Sequence, residues 1–468
     1  MEKRTNRTHR LLSTVWLLVF LALVLGAAAA TGSAEERNFA VDVRSVSSQP
    51  VPVVIPLGDV RDQLDKDFFV NWDTLRVVDA AGNEIPFQID DVDLNGELSR
   101  ADEIAFVATG PVTIRVTDDE WADIPEYPAE FVIESGPNGE FDIATRDGKM
   151  AAEVTPFGTV NVTRFAGIDQ TYIKDLGLVR YAGFPLSRYW SGGSLGPHEE
   201  RTTLEEPLRI VQGRVLKPGP VRVAVVEQYA SDLFPGLRVN VVIAIYATGD
   251  IRVQTIAPIK AYNDFTKLGT IVNGVMADAK DARHVLVPFR WLDFAEEEGK
   301  TSVEYYREKG AVVDVDGKPY IAFADARGPQ PPFWGASYIF SSVEKWRTNY
   351  SAASGMGVAE IVVDPPAIPG DLAGKIKGLG WQLESEWRTI YFRWVATEIV
   401  QRRLDNGIEV ELEPDMEKGN WPLHAEPGET FVWDNWYTIY QADDLESAIR
   451  WLEQRSAELG PVAVTLVK

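Results

Sequence analysis

Arg238-Val239-Asn240-Val241-Val242-Ile243-Ala244-Ile245-Tyr246, then Ala247-Thr248-Gly249-Asp250, then Ile251-Arg252-Val253-Gln254-Thr255-Ile256 is the stretch whose reading decides the fold. Its two flanks are rich in β-branched residues, which are stiff at χ1 and suit a pleated surface. The four residues between them include a glycine, which takes the backbone angles that a hairpin loop needs. The stretch reads as two antiparallel strands joined by a short loop.

Strand patterns recur on both sides of this hairpin. The sequence predicts strands over Ala151–Thr155, Thr159–Phe165, Leu208–Leu216 and Val221–Tyr229 before it. After it, Val312–Val315, Tyr320–Ala324, Gly357–Val363, Thr389–Val395, Phe431–Tyr440 and Val462–Val467 read the same way. One helix is clear: Asp443 and Asp444 offer an N-cap, and Leu445, Ala448, Ile449, Leu452 and Leu459 share one face. Gly460-Pro461 stops it. Nearer the start, Phe39, Val41 and Val43 alternate with Ala40, Asp42 and Arg44, and short strands with turn signals follow to Val116. The expected organisation is all-β: a small β-sandwich over 36–118, a connection rich in Asp, Glu and Pro over 119–140, and a large β-sandwich over 141–468.

Within the small sandwich, Asp90-Asp91-Val92-Asp93-Leu94-Asn95-Gly96-Glu97-Leu98-Ser99-Arg100-Ala101-Asp102-Glu103 spaces oxygen donors for a hard divalent cation. Asp91, Asp93 and Asn95 alternate, and Gly96 permits a sharp turn. Glu97 offers a carbonyl, Ser99 a water-mediated contact, and Asp102 the closing carboxylate. The expected ion is calcium, in a structural role that stiffens the loop. The alternative is a solvated acidic turn. The flanks read as strands, so no EF-hand helix pair is expected.

The chain opens with Lys3, Arg4, Arg7 and Arg10, an apolar run from Leu11 to Leu25, and the small residues Ala27 to Ala30. This is the pattern of a secretory signal peptide, expected over residues 1–34. The alternative is an uncleaved single-helix anchor. Either way the expectation is a secreted, periplasmic or extracellular protein, with no other membrane association. The sequence has no Cys, which excludes a thiol nucleophile and thiolate metal sites. Its formal net charge is −24, although the first segment is basic. So acidic a chain, without a Lys/Arg block, is not expected to bind nucleic acid.

Two further features point to a family. One is Pro52-Val53-Val54-Ile55-Pro56-Leu57 followed by Pro86-Phe87-Gln88-Ile89-Asp90-Asp91 and Asp102-Glu103-Ile104-Ala105-Phe106. The other is Gly219-Pro220-Val221-Arg222-Val223 with its long hairpin. Together they resemble secreted proteins of bacterial polysaccharide-utilisation systems, some similar to exo-acting rhamnogalacturonan lyases. The resemblance covers roughly residues 38–110 and, more loosely, 205–260. It implies that the large domain is a galactose-mutarotase-like β-super-sandwich and that the partner is a polysaccharide or oligosaccharide. It supplies no catalytic residues.

Candidates for those come from the loops. Tyr189-Trp190-Ser191-Gly192-Gly193 leads to His198 and Arg201 in a glycine-rich, aromatic segment. In a lyase, His198 or Tyr189 would remove the proton and Arg201 would neutralise a uronate carboxylate. Trp190, His424, Trp433, Asp434, Trp436 and Tyr437 are the expected sugar contacts, with core packing as the alternative for the Trp433–Tyr437 cluster. His284 lies in a strand pattern and reads as structural. Two functions stand at this stage: an enzyme that degrades a polysaccharide by lyase or hydrolase chemistry, and a non-catalytic glycan-binding or cell-surface structural protein.

Overall fold

A computed structural model describes residues 34–46, 49–178, 209–230, 238–258, 267–268, 270–272, 274–276, 279–287, 302–323, 346–364, 382–385, 392–395, 399–400 and 430–467. The fold is all-β. Its described strands pair antiparallel, and the described helices are Leu57–Arg61, Ser302–Glu308 and Leu445–Glu458. None is long and apolar enough to cross a membrane.

The hairpin that opened the sequence reading lies in a ten-stranded sheet. The order across it is Arg209–Val215, Arg222–Ala230, Arg238–Tyr246, Asp250–Pro258, Thr430–Gln441, Met356–Asp364, Trp346–Ser351, Arg283–Leu286, Lys318–Phe323 and Val312–Val315. Gly249 forms the turn at φ +90°, and a Cβ there would lie 2.5 Å from the Phe165 ring and 2.8 Å from the Ile439 carbonyl. Only glycine meets both demands.

Strand pleating sends alternate residues to opposite faces of this sheet, and both faces are covered. Val223, Val225, Ile243, Ile251, Val253, Val358, Tyr437 and Ile439 pack inward with Val160, Val162, Tyr172, Ile173 and Leu176 of a nine-stranded sheet. Ala224, Val226, Val242, Ala244, Tyr246, Trp346, Ala359, Trp436 and Tyr440 pack outward, where the small sandwich and the last helix meet them. The small sandwich joins a five-stranded to a three-stranded sheet. Its Phe39, Val53, Ile55, Phe106 and Ile114 share one core with Ala448, Ile449 and Leu452 of the helix. The helix is capped as its sequence predicts, the Asp444 carboxylate accepting from Ser447 N at 2.7 Å.

Two boundaries differ from the sequence reading. Phe131–Ser135, inside the stretch read as a connection, is an edge strand of the nine-stranded sheet. Its apolar signal is short, and Pro and Glu on either side mask it. The last strand, Val464–Val467, does not belong to the large sandwich. It pairs with Glu36–Val41 of the small one, at the register Asn38 to Val467.

The two motifs that carry the family resemblance meet in space. Gln88 Oε1 accepts from the backbone amides of Val221 at 3.2 Å and Arg222 at 3.1 Å. Arg222 in turn donates through Nε to Asp90 and through Nη2 to Glu103, each at 2.7 Å. Glu103 also accepts from Arg252 Nη1 at 2.6 Å, and Arg252 reaches Asp434. Burial pushes the Glu103 carboxyl up, yet Arg252 and Arg222 outweigh it and hold it below the usual range. Removing Arg222 leaves Asp90 and Glu103 buried with too little positive charge. Arg222→Ala is expected to cost about 3–5 kcal/mol in urea unfolding. A cost below about 1 kcal/mol would show that this ion chain does not hold the sandwiches together.

Candidate functional site

On the inner face of the ten-stranded sheet, apolar positions give way to polar ones. In strand Thr430–Gln441 the inward residues Ile439 and Tyr437 lead to Asn435, and in strand Met356–Asp364 Val358 leads to Glu360. In strand Asp250–Pro258, Val253 leads to Thr255. The register sets Tyr437 opposite Glu360 and Glu360 opposite Arg347. One step along, Asn349 faces His284. The result is a continuous polar band across five adjacent strands.

The band is tightly bonded. Arg347 Nε donates to Glu360 Oε2 at 2.6 Å, and Tyr437 Oη donates to Glu360 Oε1 at 2.9 Å. Burial lowers the pKa of Arg347 despite Glu360, and burial together with Glu360 raises that of Tyr437 far above its ordinary value. Asn349 Nδ2 donates to the Val275 carbonyl at 2.9 Å, so its Oδ1 accepts from His284 Nδ1, 2.7 Å away. That fixes the His284 tautomer, with the proton on Nδ1. Burial pushes the His284 pKa down to about 3, with the Arg347 charge adding to it and the Asn349 bond opposing it. The ring is neutral at physiological pH. Asn435 stands apart: it is fully buried, and neither amide atom has a hydrogen-bond partner among the described residues. The Thr255 hydroxyl is in the same state. A register shift between Val362 and Asp364 lies opposite Asn435 and Asp434, a bulge of the kind found beside functional sites.

A second place draws three carboxylates together. One oxygen each of Asp91, Asp93 and Asp102 lies within 4.8 Å of the others. The chain reaches this geometry through positive φ at Leu94 and Gly96, 58° and 80°. Backbone amides of Asn95 and Gly96 donate to Asp91 at 3.1 and 2.9 Å, which turns the loop around its acids. Asn95 Oδ1 accepts from Glu97 N at 2.7 Å, so Asn95 and Glu97 flank the triad. Burial first, then the Asp93 and Asp91 charges, raise the Asp102 carboxyl. A cation would relieve that repulsion. The triad fits a hard oxygen-seeking ion. The loop also touches the large sandwich, where Gln228 Nε2 donates to the Asp93 carbonyl at 3.0 Å.

The other sequence candidates are dispersed. Tyr189, Trp190, His198, Arg201 and His424 lie outside the described residues. Of Trp433 only the backbone is described. The pleat splits the rest of its cluster. Asp434 faces outward, 2.6 Å from Arg252, and Trp436 stacks on Tyr246 in the outer core, with centroids 5.7 Å apart. Neither can join Tyr437 in one sugar platform, because successive strand residues point to opposite faces. Tyr437 is itself buried within the band. Sequence reading missed Glu360, Arg347, Asn349 and Asn435. Their signal was polar residues set inside otherwise apolar strands.

The band makes a test of acid stability. A His held neutral by burial gains protons on unfolding between pH 6.5 and about 3, so its stability contribution is intact above 6.5 and falls as pH drops through that window. His284→Gln is expected to lose stability less steeply than wild type as pH drops across that range, so that the difference between the two changes with pH. Parallel curves would mean that His284 takes up its proton equally well when folded.

No family model matches the chain, and neither does any curated protein. Among solved structures it is similar to a glycosyl hydrolase family 38 protein from Enterococcus faecalis, at 9% identity and a TM-score of 0.41, covering 92% of this chain and 47% of that one. It is also similar to a GalM/aldose epimerase homologue from C. elegans (9% identity, TM-score 0.28, 67% and 100% covered). A third is a copper-containing benzylamine oxidase from Hansenula polymorpha (10% identity, TM-score 0.31, 78% and 67% covered). The chain spans about half the length of the enterococcal protein. Scores at this level carry no functional weight.

Proposed function

We propose that this is an exported, carbohydrate-active protein in which the buried polar band of the ten-stranded sheet is the rigid floor beneath a glycan site. The observation that supports this reading is the band itself. Amide, hydroxyl, phenol, guanidinium and carboxylate groups are fixed by strand register on one inner face, beside an amide with no partner among the described residues. Sugars are recognised by such sets of convergent, oriented donors and acceptors. Export rests on the basic and apolar opening segment, which suits a periplasmic or extracellular substrate. The activity to assay is polysaccharide degradation by lyase or hydrolase chemistry.

One observation favours the binding-only alternative. Both Glu360 oxygens are engaged, by Arg347 and Tyr437, which suits holding a ligand better than moving a proton. A panel of pectic, other uronate and neutral glycans separates the readings. A new ultraviolet absorbance marks elimination, and reducing ends without absorbance mark hydrolysis. Affinity without either product supports the binding protein. Absence of affinity and of turnover across the panel would overturn the carbohydrate reading.

The acidic loop is read as a structural calcium site. Calcium at a hundredfold excess over Kd is expected to add about 2.7 kcal/mol of stability, seen as a higher Tm that chelator reverses. Asp93→Ala should abolish the response. Equal melting points with calcium and chelator would remove the ion from the loop.

A further inference from the structure

Asn-Gly occurs four times in the sequence, at 95–96, 138–139, 273–274 and 406–407. Such a pair can modify itself. Glycine has no Cβ to shield its amide, so its nitrogen can close a succinimide ring on the asparagine Cγ. The first two pairs lie wholly within the described residues, and they share the residue that follows: Asn95-Gly96-Glu97 and Asn138-Gly139-Glu140. Asn95, Gly96, Asn138 and Gly139 are all exposed. Solvent and local sequence treat the two pairs alike, and hydrogen bonding separates them.

At Asn95 the groups that ring closure needs are engaged. The attacking amide, Gly96 N, donates to Asp91 Oδ2 at 2.9 Å. Asn95 Oδ1 accepts from Glu97 N at 2.7 Å, and its Nδ2 donates to Asp93 Oδ2 at 2.9 Å. Closure would break all three bonds. At Asn138 the restraint is slight. Asn138 N donates to Glu140 Oε2 at 2.9 Å, which does not hold the side chain, and Nδ2 stands 3.5 Å from Oε1, at the limit of a hydrogen bond. Gly139 sits at φ +90° with open space where a Cβ would be. The pair lies in the loop between Phe131–Ser135 and Phe141–Thr145, closed by Gly136 N on the Glu140 carbonyl at 2.8 Å. This end of the hairpin is already acidic, because the register sets Glu134 opposite Asp142. A carboxylate in place of the Asn138 amide would meet Glu140 Oε1 as a like charge where the amide now donates.

We infer that Asn138-Gly139 is a self-modification site, where deamidation puts a negative charge in the hairpin loop and loosens the edge strand Phe131–Ser135 of the nine-stranded sheet. Gly139 N bonds to Asn138 Cγ and gives its proton to solvent. The Cγ–Nδ2 bond breaks, and Nδ2 takes a proton from solvent as it leaves as ammonia. Water then opens the succinimide at either carbonyl, giving aspartate or isoaspartate. Nothing is oxidised or reduced. The site is independent of the glycan reading.

The experiment ages the full chain at mildly alkaline pH, folded and in guanidinium, and maps the peptides by mass spectrometry. In the folded protein Asn138 is expected to deamidate at least about tenfold faster than Asn95, and the two rates should converge when the chain is unfolded. The deamidated fraction, separated by its added charge, should exchange the amide hydrogens of Phe131–Ser135 about two- to fivefold faster than the parent. Asn138→Gln should age without forming this species. Equal rates at the two sites in the folded protein overturn the inference, and so does a folded ratio no larger than the unfolded one. Unchanged exchange in Phe131–Ser135 overturns the loosening. The same species from Asn138→Gln overturns the assignment to Asn138. If that variant fails to fold, the wild-type peptide map decides alone.

Discussion

The buried ion chain from Asp90 through Arg222, Glu103 and Arg252 to Asp434 is the constraint on which the architecture depends. Its acids at one end come from the hairpin of the small sandwich, and its arginines come from the ten-stranded sheet. Desolvating five charges is costly, and their attraction offsets that cost only with close geometry and full hydrogen bonding. Apolar contact alone would let the two sandwiches slide. The alternating charges permit one register. Tyr246 extends the set, accepting from Arg222 at 3.1 Å while stacking on Trp436.

The same chain brackets the acidic loop. Asp90 and Glu103 are the residues on which the loop begins and ends, and both are pinned to Arg222. The loop is therefore held at its base by paired charges while its tip gathers three unpaired ones. At the far end of the chain, Asp434 precedes Asn435 directly. The outward residue is locked by Arg252, and this fixes where the inward residue must point. Packing on one face of the sheet thus positions chemistry on the other.

Much of the fold was legible in the sequence. The hairpin around Gly249, the strands from Arg222 to Pro258 and the capped helix all announce themselves through local pattern. The acidic loop was legible too, because its donors are close in sequence. The polar band was not. Arg347, Glu360, Tyr437 and His284 become neighbours only through strand order, and no local pattern encodes that two distant strands will pair. The aromatic cluster near Trp436 misled for a related reason. Residues adjacent in sequence suggest one surface, but the pleat sends Trp436 and Tyr437 to opposite cores. Where Phe131–Ser135 belongs was likewise decided by a partner strand, not by its own composition.

The strand Val464–Val467 lies beside Glu36–Val41, and Gln63 binds the backbone at both Val464 and Leu466 across separations of 401 and 403 residues. The small sandwich therefore gains its full complement of strands only once Val464–Val467 has been made. Its open edge, the outer side of Glu36–Val41, stays available for pairing throughout synthesis. Such long loop closures slow folding and expose edges that invite wrong partners. The arrangement also makes Glu36–Val41 and Val464–Val467 mutually dependent. A chain cut before Val464 lacks the strand that covers the outer side of Glu36–Val41, so damage late in the sequence is felt as an open edge on the small sandwich.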